Sequence, residues 1–109
     1  MTILKTISSL GLIGLLLGLA LPAMGEDLDG ATLYMQRTCI ACHGPDAKTP
    51  ILPEYPKLAG QNAAYALQQM KDIKSGARSN GNTAAMSGVM HLVTDEEMQA
   101  IANWISSLD

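Results

Sequence analysis

Cys39-Ile40-Ala41-Cys42-His43 is the stretch on which the reading of this fold turns. A Cys-x-x-Cys-His run is the attachment pattern for a c-type haem, and chemistry accounts for its spacing. Two thiols three positions apart share one helical turn, so each can add across a vinyl group of the macrocycle to form a thioether. The histidine that follows is then held beneath the iron, where imidazole is a suitable axial ligand. The run uses both cysteines of the chain and leaves no orphan thiol. Two rival readings are weaker. A redox dithiol belongs after a strand in a βαβ pattern, which is absent here, and a Cys-His zinc site needs more ligands than the sequence supplies. The expected cofactor is one covalently attached haem c, on Cys39 and Cys42, with His43 as a metal ligand.

Upstream of the motif, Lys5 supplies a positive start and Ile7 to Leu21 form an apolar run that Pro22 breaks. Ala23-Met24-Gly25 then reads as a small-x-small cleavage site. The expectation is a cleaved secretory signal peptide over residues 1–25, a mature chain from Glu26, and a periplasmic location. Export suits the motif, because c-type haem is attached outside the bacterial cytoplasm in families that carry it. The alternative is an uncleaved anchor, but the run falls short of the ~20 apolar residues a spanning helix needs.

Residues 26–109 suffice for one small domain, a size that often needs a staple. This region has no Phe, one Trp and three Tyr, thin material for a core, and an apolar macrocycle would supply the missing volume. Six basic residues against ten acidic ones give it a formal charge of −4, which argues against nucleic acid and against an anionic membrane surface.

The fold class expected is all-α, three to four short helices around one haem. Asp27 and Asp29 are candidate caps for a first helix running from Gly30 into Cys39, with Leu33, Tyr34 and Met35 as its large apolar members. Gly44 to Gly60, with four prolines, reads as loop. Asn62 caps a second helix through Ser75, with Tyr65, Ala66, Met70 and Ile73 at helical spacing and Gly76 as its stop. Ala77 to Val93 reads as a second loop. Thr94-Asp95-Glu96-Glu97 is a capping box for the last helix, whose Met98, Ile101, Ala102, Ile105 and Leu108 form one stripe.

This arrangement resembles the short bacterial class I c-type cytochromes, and most closely one half of the two-haem c-four type. Beyond the CxxCH, the resemblance is carried by Tyr55-Pro56-Lys57-Leu58-Ala59-Gly60-Gln61, by Lys71-Asp72-Ile73-Lys74-Ser75-Gly76, and by Met86-Ser87-Gly88 ahead of the capped helix. One departure is the single CxxCH where the two-haem proteins have two. The resemblance implies that a proline carbonyl accepts the other ring N–H of His43, and Pro53 best matches that position. It implies a sixth ligand at Met86, by Met-x-Gly. Met90 and His91 are the alternatives, Met90 being better placed to pack beneath the last helix, and a lone His is more often not a ligand. Met35, Met70 and Met98 read as core gap-fillers. Tyr55, Leu58 and Tyr65 are expected to line the haem pocket, and Arg78 and Asn80 to meet a propionate or the Met loop. Trp104 and Tyr34 are expected to pack where the first and last helices cross, beside Gly30.

A haem iron with both axial positions filled has no open site for substrate, so the expectation is a single-electron carrier and not an enzyme. No acid/base or nucleophilic constellation is present in the sequence. Its expected partners are redox protein donors and acceptors met transiently, with no nucleic acid and no stable membrane insertion after cleavage, by a monomer. The alternatives are a haem-based sensor, peroxidase-like enzyme or ligand-binding module with an open sixth position, or a haem subunit of a larger oxidoreductase.

Overall fold

The computed structural model describes residues 28–109; the signal peptide, its cleavage site, Glu26 and Asp27 lie outside the described residues. Five α-helices follow in order: α1 Gly30–Gln36, α2 Cys39–His43, α3 Ala63–Ser75, α4 Thr83–Met90 and α5 Asp95–Ser106. The described residues contain no strand, as an all-α class requires.

Local chemistry sets most of the helix ends. The Asp29 carboxylate accepts from the Thr32 amide at the start of α1, and the Asn62 side chain accepts from the Tyr65 amide at the start of α3. Gly76 ends α3 in the left-handed region at φ +86°. The capping box of α5 is complete: Glu97 N–H donates to Thr94 Oγ1 (3.1 Å) and Thr94 N–H donates to Glu97 Oε1 (3.0 Å).

Helix α5 is the central element. Met98, Ile101, Ala102 and Ile105 are buried, and their stripe packs against α1 on one side and α3 on the other; Leu108, expected on the same stripe, lies past the helix end and is half-buried. Gly30 is what lets α1 come so close. A Cβ there would stand 2.6 Å from Trp104 Cβ and 2.9 Å from the Ala100 carbonyl carbon, so only glycine fits. Tyr34 and Trp104 meet at that crossing, ring centroids 4.9 Å apart and tilted by 49°.

Three sequence expectations need correction. The first helix does not run into Cys39. It ends at Gln36, and Thr38 takes a left-handed conformation (φ +65°) that breaks the axis, so the CxxCH run starts a helix of its own. The second loop, Ala77 to Val93, contains a helix, α4, bringing the count to five. Asn82 makes no side-chain cap bond to it, so the usual start signal is missing. Its signature is instead the 3-4-3 spacing of Thr83, Met86, Met90 and Val93, all buried or half-buried. Finally, Met35 is no core gap-filler. Leu33 and Tyr34 form the buried face of α1 with Gly30, and Met35 points away from it, 55 % exposed.

Candidate functional site

A cleft of about 510 Å³ opens between α2, the loop that follows it, α3 and α4, and its walls are mostly apolar. Cys39, Cys42 and His43 line one part of it, all on α2. Because α2 is a separate turn, the two thiols and the imidazole are presented together, without continuing α1. The floor includes the core residues Met70, Ile73, Met90, Ile101 and Ile105.

His43 is buried, and its Nδ1 lies 2.9 Å from the Pro56 carbonyl oxygen. That carbonyl accepts the Nδ1–H, which leaves Nε2 as the ring nitrogen available to a metal. The acceptor expected from sequence was Pro53. Pro53 is exposed and does not line the cleft, and the correct proline is the third residue after it. Four prolines fall within this loop, and only its closure against α2 selects the one whose carbonyl reaches the ring. Tyr55, next to it, tilts toward His43 with ring centroids 6.5 Å apart.

Tyr55, Leu58, Tyr65, Arg78, Asn80 and Met86 all line the same cleft, drawn from four separate segments of the chain. Arg78 is held by a hydrogen bond from its guanidinium to Gln69 Oε1 (3.1 Å), and Gln69 itself is a cleft residue that the sequence reading passed over. Met86 is half-buried on α4. Met90, one turn on, also reaches the cleft but is fully buried in the core. His91 is exposed and does not line the cleft.

The environment of Cys39 argues against a redox dithiol. Burial pushes the Cys39 thiol up to about 11 before attachment, the opposite of the lowered value that makes a redox dithiol reactive. Among the described residues no group of three or more His, Cys, Asp or Glu side chains is placed to hold a metal ion. Two thiols, an anchored imidazole and an apolar cleft form a donor set suited to a covalently held macrocycle with a central iron.

Residues 28–109 match the family model for Cytochrome c. The chain belongs to the cytochrome c family. It is 39% identical over 85 residues to cytochrome c-554(548) of Halomonas halodenitrificans, covering 78% of this chain and 93% of that protein. It is 37% identical over 98 residues to cytochrome c4 of Pseudomonas aeruginosa, covering 88% of this chain but 47% of that one. The structure of reduced recombinant cytochrome c4 from Pseudomonas stutzeri superposes with a TM-score of 0.65 at 32% identity, over 73% of this chain and 46% of that chain. This cytochrome thus spans about half the length of its c4 relatives. Its single CxxCH carries one covalently attached haem c, and the family's role is single-electron transport.

Proposed function

We propose that this cytochrome is an exported, periplasmic single-electron carrier whose haem iron is held between His43 and Met86. The observation that carries the reading is that the anchored imidazole of His43, on α2, and the half-buried thioether side chain of Met86, on α4, line one cleft. When bound, the haem supplies an iron that cycles between ferrous and ferric states. The protein's part would be to hold the iron through the His43 imidazole and the Met86 thioether, to set apolar side chains against the ring, and to leave the mouth of the cleft to a redox partner. Arg78 and Asn80 are proposed to meet the propionate side, and Tyr55, Leu58 and Tyr65 to pack against the ring. Electron donors and acceptors dock on a small area and leave quickly.

The experiment is the absorption spectrum of the ferric protein. A weak band at the red end, arising from methionine sulfur on ferric iron, is expected. Its absence, with ready binding of carbon monoxide by the ferrous form, overturns the carrier and favours a ligand-binding module. Export is read from the intact mass of protein recovered from the periplasm: loss of residues 1–25 is expected, and a membrane-bound product retaining Met1 overturns it. Among the described residues no helix is long and apolar enough to cross a membrane.

A further inference from the structure

Tyr34 is a buried, titratable side chain with no part in haem attachment. It is 1% exposed, lines the cleft, and donates its hydroxyl to the Gly44 carbonyl at 2.5 Å. Gly44 immediately follows His43. We propose that the Tyr34 hydroxyl is a positioning group for the axial imidazole, acting through the loop that carries the Pro56 carbonyl. The inference rests on the reading of His43 as an iron ligand and adds a residue that sets that ligand's donor strength.

The connection can be followed bond by bond. Gly44 sits at φ +87°, and a Cβ there would stand 2.8 Å from the Thr49 carbonyl carbon, so the loop folds directly back onto it. The Gly44 carbonyl, held by Tyr34, also accepts the Ala47 N–H at 3.2 Å. Ala47 is fully buried and left-handed (φ +57°), and its carbonyl accepts both Leu58 N–H (2.9 Å) and Ala59 N–H (3.0 Å). Those two residues fix the end of the segment bearing Pro56, whose carbonyl accepts the His43 Nδ1–H at 2.9 Å. A closed circuit therefore runs from the backbone of His43 to its own ring. Tyr34 ties that circuit to the α1–α5 crossing, where its ring packs on Trp104.

The consequence is electronic. A firm Nδ1–H···O=C bond raises imidazole basicity and so favours ferric iron. Slackening the circuit weakens that bond and raises the reduction potential. Burial pushes the Tyr34 phenol up to about 12, so the hydroxyl remains a donor throughout the neutral range.

The test compares the wild-type holoprotein with Tyr34→Phe and Trp104→Phe. Two quantities are read: the reduction potential, and by NMR the exchange rates of the His43 Nδ1 proton and the Ala47 amide. Tyr34→Phe is expected to raise the potential and to speed both exchanges about tenfold, the scale of one buried hydrogen bond. Trp104→Phe is expected to lower the thermal midpoint while leaving potential and exchange at wild-type values. A Tyr34→Phe protein that loses thermal stability but keeps both quantities overturns the proposal and leaves Tyr34 a packing residue. Should Tyr34→Phe fail to fold, 3-fluorotyrosine at position 34, a stronger donor of the same shape, must lower the potential and slow the Nδ1 exchange; unchanged values overturn the proposal. His43 ring protons without paramagnetic shift in the ferric wild type overturn the ligand reading itself, and the inference with it.

Discussion

At the scale of single residues, two side chains on one helix compete for the iron. Met86 and Met90 are four apart on α4 and both reach the cleft, yet one is half-buried and the other wholly enclosed by the core. Withdrawing Met90 toward iron would empty a core position, at a cost of about 2–5 kcal/mol. Moving Met86 costs far less. Met86→Ala is therefore expected to abolish the sulfur band and admit carbon monoxide, and Met86→His to keep six-coordinate iron at a lower potential, since imidazole favours ferric iron more than a thioether does. Met90→Ala is expected to keep the band and lose about 2–5 kcal/mol of stability. The reverse pattern across these variants, read by ferric spectra and thermal melts, would make Met90 the ligand. Proline is the other lesson at this scale. Pro53 and Pro56 are chemically alike, and no local rule says which carbonyl meets His43.

Between elements, Glu97 is the residue that joins most. One carboxylate oxygen completes the cap of α5 by accepting the Thr94 amide, and the other accepts the Arg37 guanidinium at 2.6 Å. Arg37 stands in the break between α1 and α2, so the pair fastens the start of the haem-attachment turn to the head of the central helix. The Thr94 amide, and after it Arg37, hold the Glu97 carboxyl below the ordinary glutamate value. A carboxyl depressed on folding contributes stability in full above its unfolded-state value, and loses it as pH falls through the folded one. Acidification is thus expected to destabilise the protein partly through Glu97. Glu97→Gln, whose amide oxygen still accepts the Thr94 N–H, should flatten the acid side of the stability–pH curve, measured as thermal midpoint, and cost under about 1 kcal/mol at neutral pH through loss of the charged pair. Arg37 is over a third exposed, which keeps the pair's share small. An acid limb as steep as wild type would show that other carboxyls control it.

For the whole molecule, the haem cleft and the hydrophobic core share a surface. Met70, Ile73, Met90, Ile101 and Ile105 belong to both. At roughly 24 cal/mol per Å³, a cavity of the cleft's 510 Å³ would cost on the order of 10 kcal/mol, an upper bound because the cleft opens to water. Total domain stability is only about 5–15 kcal/mol. The chain without haem is accordingly expected to be largely unfolded, and Cys39→Ala/Cys42→Ala, which cannot form the thioethers, to lose its cooperative thermal transition by circular dichroism. A sharp transition in that haem-free chain would mean that the polypeptide core suffices. Haem retained by the double variant after acid–acetone extraction would contradict thioether attachment.

What short-range chemistry controls was legible in the amino-acid order. The CxxCH spacing, the caps at Asp29, Asn62 and Thr94, the Gly76 stop and the buried stripe of α5 are all set by residues within a turn or two of each other, where geometry follows from helical period alone. Long-range packing settled the remainder. It broke the first helix at Thr38, folded a capless α4 over the cleft, chose Pro56 over Pro53, and put Met86 and Met90 on the cleft at different depths. Each of those outcomes depends on a loop closing against an element distant in sequence, and the residues that win there do so by position in space, a quantity no local pattern encodes.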